Sequence, residues 1–515
     1  MSSLPDFGAP DLPHRTFERV SITGTLLCLS DLHVGNGEEK PVPEPSKKNA
    51  APPLYSAVCL DVNGRPYIPG ATLRGFLNQT LWVKARDRHE KIFGTARKAR
   101  DGGNSAEVGN AGAVRVYDAR AIGGSEGWRS RIANDPVTGT AKEGRLFNEA
   151  VVLAGSRFRV HLELHGRING IGVDDVAAVL WALSRLGDSG GALGGGKGHG
   201  RGRLRWRLDP QGVMCLSRDA LRDWLLGEGS LAQRYEPVDV EPWAQEPANC
   251  RYRLRLRPSS PLLVRDPKVG AHEEKAEGEP DFTFMRRGSR VLVPGSTLRG
   301  MIRARCRRLI LSLIAELNSM TEAEFRNQAD KLTDEIFGGK ARAGWVRASD
   351  AIGHFKTIDQ RSPSGMANNG NSVPTGHRDA LHRQWFNAVD RFTGGVKGGA
   401  LYQVEAVWPD SLRCVIHLNP KIMDEPNRWM LGLLTLVLRD AMEGDLALGW
   451  GKGRGYGAFK AEIRRPEEAG YFERWRELIA DARLKEAMDR DVKALETHLE
   501  SLGAVRNSEQ RGSNP

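Results

Sequence analysis

Positively charged residues alternate with glycines in two segments of the chain. Residues 192–200 read ALGGGKGHG, and residues 447–455 read ALGWGKGRG. Glycine lets a backbone approach a ligand closely, and cations between the glycines attract an anion to the exposed amides. The pattern indicates contact with phosphate groups, or else a tight turn that binds nothing. The candidate phosphate ligands are Lys197, His199, Arg201, Lys452 and Arg454.

The first of these segments also resembles a nucleotide-binding P-loop. Residues 191–197 satisfy the spacing GxxxxGK. However, Gly198 stands where that motif needs Ser or Thr, and the flanking elements are expected in the reverse order, with the helix first and the strand second. We therefore interpret both segments as loops that contact the phosphodiester chain of RNA.

Arginine alternates with apolar residues on two predicted strands. Residues 203–208 read RLRWRL, and residues 251–257 read RYRLRLR. Because side chains alternate between the two faces of a strand, each strand has one apolar face and one arginine face. A net charge of +11 agrees with a polyanionic partner, although a solvated charged face is the alternative. The predicted RNA ligands on these strands are Arg203, Arg205, Arg253 and Arg255.

The chain contains a tandem duplication. PYIPGATLRG at 66–75 returns as VLVPGSTLRG at 291–300, and the glycine-rich segments return in the same order. Two shorter landmarks lie between them, an IFG triplet and a loop that ends in Thr-Gly. Recurrence of several landmarks in one order is the signature of a repeated module.

Each repeat predicts the element order β-β-α-β-β-α-β, which is ferredoxin-like with an extra hairpin. Thr72 and the pair Ser296-Thr297 stand where N-caps would begin the helices 73–86 and 298–317. The fold class is therefore α+β, with two tandem ferredoxin-like (RRM-like) modules, loop insertions and a helical C-terminal extension. The predicted boundaries are a first module at 19–209, a linker at 210–249, a second module at 250–465 and an extension with a disordered tail at 466–515.

Composition excludes several classes of protein. The six cysteines form no CxxC or CxxH pair, so a zinc finger is not expected. No stretch has the length of a membrane span, and residues 1–15 lack the pattern of a secretory signal. We expect a cytoplasmic protein with no membrane partner.

The combined motifs resemble the RAMP superfamily, and within it the backbone subunits of type III CRISPR effector complexes. The resemblance rests on PGxTLRG, IFG, the Thr-Gly loop and ALGxGKGxG in both repeats. It implies RRM-like modules that stack along guide RNA, with target RNA and other effector subunits as partners. Arg74, Arg299, Lys197 and Lys452 become candidates for guide binding, and the segments 123–131 and 354–384 resemble the thumb that separates guide from target.

The resemblance also implies a cleavage site. Members that cut target RNA carry an aspartate between the first strand and the PG motif, and Asp281 occupies that place in the second repeat. Asp281 would be the catalytic residue and the ligand of a divalent cation, Mg²⁺ by preference. The matching stretch of the first repeat offers Tyr55 and no carboxylate, with Asp31, Glu38 and Glu39 as earlier alternatives.

Two other functions remain open on sequence grounds. A purely structural subunit would bind guide RNA without cutting it. A guide-precursor-processing endoribonuclease would use a histidine, for which solvent-facing loop residues are the simpler interpretation. The loop histidines are His33, His199, His272, His354, His377 and His382.

Overall fold

Each half of the sequence folds around one main sheet, and the two main sheets share the order of five strands. The structure is a computed structural model. It describes residues 16–41, 54–95, 111–134, 141–166, 170–186, 191–227, 230–243, 251–266, 279–317, 321–339, 342–355, 380–398, 400–464 and 471–512. The predicted 135–139 Thr-Gly loop, His272, His377 and most of the segment 354–384 lie outside these ranges.

The first half contains two sheets and the helices that cover the larger one. Its strands are β1 (Thr16–Cys28), β2 (Gly35–Pro41), β3 (Leu54–Val58), β4 (Tyr67–Ile68), β5 (Val114–Val116), β6 (Ala119–Gly123), β7 (Glu126–Asn134), β8 (Ala141–Val152), β9 (Arg157–His165), β10 (Ile171–Gly172), β11 (Leu204–Ser217) and β12 (Glu236–Pro237). Its helices are α1 (Gly70–Lys84), α2 (Arg86–Phe93), α3 (Val173–Ser184) and α4 (Arg218–Leu226).

The second half repeats this plan and adds two helices at its end. Its strands are β13 (Arg251–Pro258), β14 (Phe282–Thr283), β15 (Arg286–Arg287), β16 (Arg290–Val293), β17 (Val346–Ala348), β18 (Ala351–Phe355), β19 (Leu381–Phe386), β20 (Tyr402–Val407), β21 (Pro409–Leu418) and β22 (Phe459–Arg464). Its helices are α5 (Gly295–Leu317), α6 (Glu322–Phe337), α7 (Trp429–Glu443), α8 (Trp475–Ala480) and α9 (Ala482–Gly512).

The main sheets have equivalent topologies. The first runs β12-β11-β1-β9-β6-β4, and the second runs β15-β16-β18-β21-β13-β22. In each, the last strand of the module pairs with its first strand, and the strand just before the PG motif, β4 or β16, lies toward the opposite edge. This confirms the α+β class and the tandem ferredoxin-like arrangement. The extra hairpins form side sheets, β2-β3-β8-β7 in the first half and β14-β20-β19 in the second.

Strand periodicity explains how the sheets bury one face. In β1, Val20, Ile22 and Leu26 are completely buried, while the residues between them face the other side. On β11, Leu204 is buried and Arg205 is exposed, which agrees with the predicted alternation. The buried faces pack against α1 and α3 in the first half and against α5 and α7 in the second.

The segments outside the predicted modules also pack on them. β11 continues to Ser217 and pairs with β12, so part of the predicted linker joins the first sheet. Leu495 and Leu499 of α9 are buried in the core of the second module. The predicted C-terminal extension is therefore helical, and it completes the second core. Among the described residues, no helix is long and apolar enough to cross a membrane.

Candidate nucleic-acid interface

The two glycine-rich segments fold into loops of the same geometry, which we call the first G-loop (residues 192–202) and the second G-loop (residues 447–457). Each contains one short 3-10 turn, Lys197–His199 or Lys452–Arg454. Left-handed glycines flank the turns, with φ of 73° at both Gly196 and Gly451. Lys197 and Lys452 are both exposed at the turns, as the phosphate-binding prediction requires.

Each G-loop closes at a position that admits only glycine. A Cβ atom at Gly202 would lie 1.8 Å from the carbonyl oxygen of Leu193, and one at Gly457 would lie 1.8 Å from that of Leu448. The φ angles there, +72° and +77°, are also ones that other residues rarely adopt. The glycine pattern thus has a structural cause that is independent of any ligand.

The first G-loop packs into the junction between the two modules. A Cβ at Gly200 would lie 2.3 Å from the carbonyl oxygen of Ala348, which belongs to the second module. Within the described part of the chain, a Cβ at Gly453 or Gly455 of the second G-loop would meet no atom within 4 Å. Two loops of nearly the same sequence therefore have different surroundings, one inside the chain and one open.

His199 lies at the centre of this junction. Its Nδ1 is 3.3 Å from Nη1 of Arg131, and its Nε2 is 3.1 Å from Nη1 of Arg299. Burial lowers the pKa of His199 to about 3, and the charges of Arg299 and Arg131 act in the same direction. The imidazole is therefore neutral near pH 7, when it has one acceptor nitrogen and one N–H group.

A half-buried glutamate balances the charge in the junction. Glu149 accepts hydrogen bonds from Arg131 and Arg201. Burial acts to raise the pKa of Glu149, but the two guanidinium groups outweigh burial and lower it. Arg201, predicted as an RNA ligand, is itself buried and directed to this carboxylate.

The arginines of the two TLRG motifs bind the IFG triplets of their own modules. Nη2 of Arg74 donates a hydrogen bond of 3.0 Å to the carbonyl oxygen of Phe93, and Arg299 donates likewise to that of Phe337. The guanidinium carbons lie 5.3 Å and 5.7 Å from the same phenyl rings. Burial, followed by the charge of Arg303, lowers the pKa of Arg299 to about 10. This contact explains why the two landmarks occur together.

The helices that contain these arginines are capped from a distance. The backbone N–H of Gly70 donates to Oδ1 of Asp118 at 2.7 Å, and that of Gly295 donates to Oδ1 of Asp350 at 2.9 Å. The prediction that Thr72 and Ser296-Thr297 would be N-caps is wrong, because α1 and α5 begin at these glycines, three residues before the predicted starts at 73 and 298. Sequence reasoning missed the caps, although the aspartate of the Asp-Ala pair recurs in both repeats.

The second G-loop rests on aromatic side chains. Nη1 of Arg454 donates a hydrogen bond of 2.7 Å to the hydroxyl oxygen of Tyr402. The same guanidinium lies 5.1 Å from the ring centroids of both Phe386 and Trp450. The arginine thus remains exposed while its planar group is fixed against two rings.

A family model matches both modules of the chain. The model of the RAMP superfamily matches residues 25–205 and residues 255–460. The chain belongs to the RAMP superfamily. The two matches cover both modules and contain both TLRG motifs, and the first ends just after the first G-loop. No curated protein matches the chain.

In the second RAMP module, Asp281 lies directly before β14 and is hydrogen-bonded to the start of β20. Its backbone N–H donates to the carbonyl oxygen of Gln403 at 2.9 Å, and its Oδ2 accepts from the backbone N–H of Gln403 at 2.6 Å. Gln403 follows Tyr402, the residue that contacts Arg454. The candidate catalytic aspartate and the second G-loop are therefore connected through one strand.

Strand pairing identifies the counterpart of Asp281 in the first RAMP module. Ser56 lies opposite Glu149, and Thr283 lies opposite Glu405, in parallel pairs of the side sheets. Two residues before each of these polar residues stand Leu54 and Asp281. Leu54, rather than the predicted Tyr55, therefore takes the place of the aspartate, and the first module has no carboxylate there.

The alternative carboxylates of the first module differ in their surroundings. Asp31 is buried and accepts hydrogen bonds from Nε of Arg129 at 2.7 Å and from the backbone N–H of Ala154 at 3.1 Å. Glu38 and Glu39 are exposed on β2, and Glu38 pairs with Lys40 at 3.4 Å. Asp31 therefore has the surroundings of a structural residue.

Asp281 is the candidate ligand for a cation that RNA would also bind. Among the described residues, no group of three or more His, Cys, Asp or Glu side chains converges as a metal site. Mg²⁺ is commonly bound by one or two carboxylates together with substrate phosphates. Asp281, whose Oδ2 accepts from the backbone N–H of Gln403, would be the ligand from this chain in that shared mode of binding.

Proposed function

We propose that this RAMP protein is a guide-RNA-binding backbone subunit of a type III CRISPR effector complex, and that its second module contributes to cleavage of target RNA. The observation that supports RNA binding best is the matching geometry of the two G-loops, each with an exposed lysine at its turn. Lysine at a glycine-rich turn suits a phosphate in any sequence context, as a guide-binding subunit requires.

Two binding units in one chain suit a ligand that passes across both. The G-loops are single copies of one element in each module, and the first lies at the module junction beside Arg299. Guide RNA would contact Lys197 and then Lys452 and Arg454 along one strand. Target RNA and further effector subunits are the other partners that this role requires.

Cleavage would depend on one residue of this chain, Asp281. The carboxylate of Asp281 would hold a divalent cation that target phosphates also bind, or would orient a ribose 2′-hydroxyl. A bound cation would stabilise the charge that develops on the scissile phosphate. The hydrogen bonds between Asp281 and Gln403 hold the carboxylate against the start of β20.

One assay tests this function against its two alternatives. The protein, alone and assembled with guide RNA and partner subunits, is incubated with labelled target RNA and labelled guide precursor, in Mg²⁺ and in EDTA. Target cleavage by the complex in Mg²⁺ only is the expected result. A complex that binds target without cutting it would indicate a structural subunit, and cleavage of precursor by the protein alone would indicate a processing nuclease.

A further inference from the structure

The helix-free face of the first main sheet displays a set of arginines on three strands. The strand register aligns Arg207 with Thr25, Thr25 with Arg159, and Arg159 with Arg120. In the next row it aligns Arg205 with Leu27 and Leu27 with Arg157. Residues directly opposite each other on paired strands point to the same face. We call this set the arginine face: Arg120, Arg157, Arg159, Arg205 and Arg207.

All members of the arginine face are exposed, and they lie on the side opposite the core. Phe158, between Arg157 and Arg159, and Leu204, just before Arg205, are completely buried on the other face. Arg159 forms an ion pair of 2.9 Å with Asp209, and 53% of its side chain remains exposed. The face therefore has a strong excess of positive charge toward solvent.

The second module uses the same face differently. The row that corresponds to Arg207, Thr25 and Arg159 contains Glu462, Arg255 and Arg413. Glu462 is buried and binds both Arg255, at 3.0 Å, and Arg257. The ring of Tyr471 covers Arg255, with 4.3 Å between guanidinium and ring centroid. In the second module, Glu462 thus neutralises the neighbouring arginines of the same face. In the first module, the position of Glu462 is occupied by Arg207.

We propose that the arginine face binds the phosphodiester backbone of RNA, as a second contact surface next to the first G-loop. Guanidinium groups bind phosphates through paired N–H donors. The backbone positions of these arginines lie about 6.7 Å apart along β9 and β11, and about 4.8 Å apart between the neighbouring strands β9 and β6, so several side chains can engage one chain of phosphates. β11 begins directly after the first G-loop, so an RNA strand that leaves the loop meets Arg205 first. This inference rests on the proposed function, because it assumes that the G-loop binds RNA.

The composition of the face favours RNA over a protein partner. Stable protein interfaces have an apolar centre surrounded by a polar rim. On the described strands, Thr25 and Leu27 lie between the arginines of β11 and β9 and are only partly exposed, and the exposed Ile122 follows Arg120 on β6. An acidic protein remains the competing ligand that an experiment must separate.

The test compares three variants of the full chain. The face variant is Arg157→Gln/Arg159→Gln/Arg207→Gln. The control variant, Arg483→Gln/Lys485→Gln/Arg490→Gln, removes the same charge from exposed positions of α9. The loop variant is Lys452→Gln/Arg454→Gln, which tests the proposed function itself. Binding constants for labelled single-stranded RNA are measured by fluorescence anisotropy over a series of salt concentrations.

The face variant should reduce the slope of log K against log salt by about 2, since each lost phosphate contact on a single strand removes about 0.7. The control variant should keep the wild-type slope. A face variant that behaves like the control, while the loop variant loses affinity, would overturn the inference and leave the proposed function intact. Absence of RNA binding by the wild-type chain would overturn both. Wild-type RNA binding by the face variant, together with loss of an acidic protein partner, would assign the face to that partner instead.

Discussion

Nη1 of Arg299 lies 3.1 Å from Nε2 of His199, across the boundary between the two modules. The residue that corresponds to His199 in the second G-loop is Arg454, which lies against aromatic rings instead. Position 199 therefore requires a neutral side chain, because a cation there would stand among Arg299, Arg131 and Arg201. The two G-loops differ at this position for an electrostatic reason.

His199 gives the folded state a defined dependence on pH. Its pKa is about 3 in the fold and about 6.5 when exposed, so the unfolded chain binds the extra proton between these values. The contribution of His199 to stability is fully present above pH 6.5 and is lost as the pH falls toward 3. The slope from one proton is at most about 1.4 kcal/mol per pH unit.

The measurement is thermal unfolding of wild type and His199→Gln from pH 7.5 to pH 4.5. Wild type should lose more stability than the variant below pH 6.5, because glutamine does not titrate. His199→Lys should reduce stability at every pH in this range, by about 3–5 kcal/mol for an uncompensated buried charge. Equal pH profiles for wild type and His199→Gln would contradict the assignment.

Arg74 and Arg299 are predicted to act both within the fold and on RNA. The double variant Arg74→Gln/Arg299→Gln removes two hydrogen bonds to the Phe93 and Phe337 carbonyl oxygens. Each such contact typically contributes about 1.5–3 kcal/mol, so the midpoint of thermal unfolding should fall. If the arginines also bind phosphate, the salt slope should decrease by about 0.7 for each lost contact. Lower stability with an unchanged salt slope would mean that both arginines only stabilise the fold, through their contacts with the IFG triplets, and do not bind RNA.

Asp118 and Asp350 provide a matched pair of helix caps. Removing an N-cap acceptor usually costs about 0.5–2 kcal/mol, which we expect for Asp118→Ala. Asp350→Ala should cost more, because Asp350 also pairs with Arg287 at 2.6 Å and is the less exposed of the two. Asp118→Asn should preserve most of the stability, since the amide oxygen can still accept from Gly70. Chemical denaturation measures the free energy of unfolding of each variant. A larger loss of this free energy for Asp118→Ala than for Asp350→Ala would contradict the prediction.

The sequence predicted those parts of the structure that depend on local pattern. The arginine alternation placed Leu204 inside and Arg205 outside, as the structure shows. Prediction from sequence failed where a residue's contact partner is remote in the chain. The caps of α1 and α5 come from Asp118 and Asp350, far along the chain, and no rule of short-range spacing could identify them.

The same limit applies to the candidate site. Lys197 and Lys452 were recognised from the loop pattern, and both are exposed. That Arg201 turns inward to Glu149 depends on the packing of a side sheet against the loop, which the pattern does not encode. Likewise, the counterpart of Asp281 could be located only when the parallel pairing of β3 with β8 fixed the register, and that counterpart is Leu54.

Asp281 separates the two modules in the chemistry that we propose for them. Asp281→Asn retains an acceptor for the backbone N–H of Gln403, so the contact with the start of β20 should be preserved. The variant loses the negative charge that a divalent cation requires, and cleavage at one target position should fall by at least about 10²-fold. Asp281→Ala should abolish the same cleavage and leave guide binding and complex assembly intact. Glu279→Gln, an exposed carboxylate two residues away, is the matched control and should cut at wild-type rate. Gel analysis of end-labelled target RNA resolves each position separately, and retained cleavage at every position in Asp281→Asn would remove this residue from the mechanism.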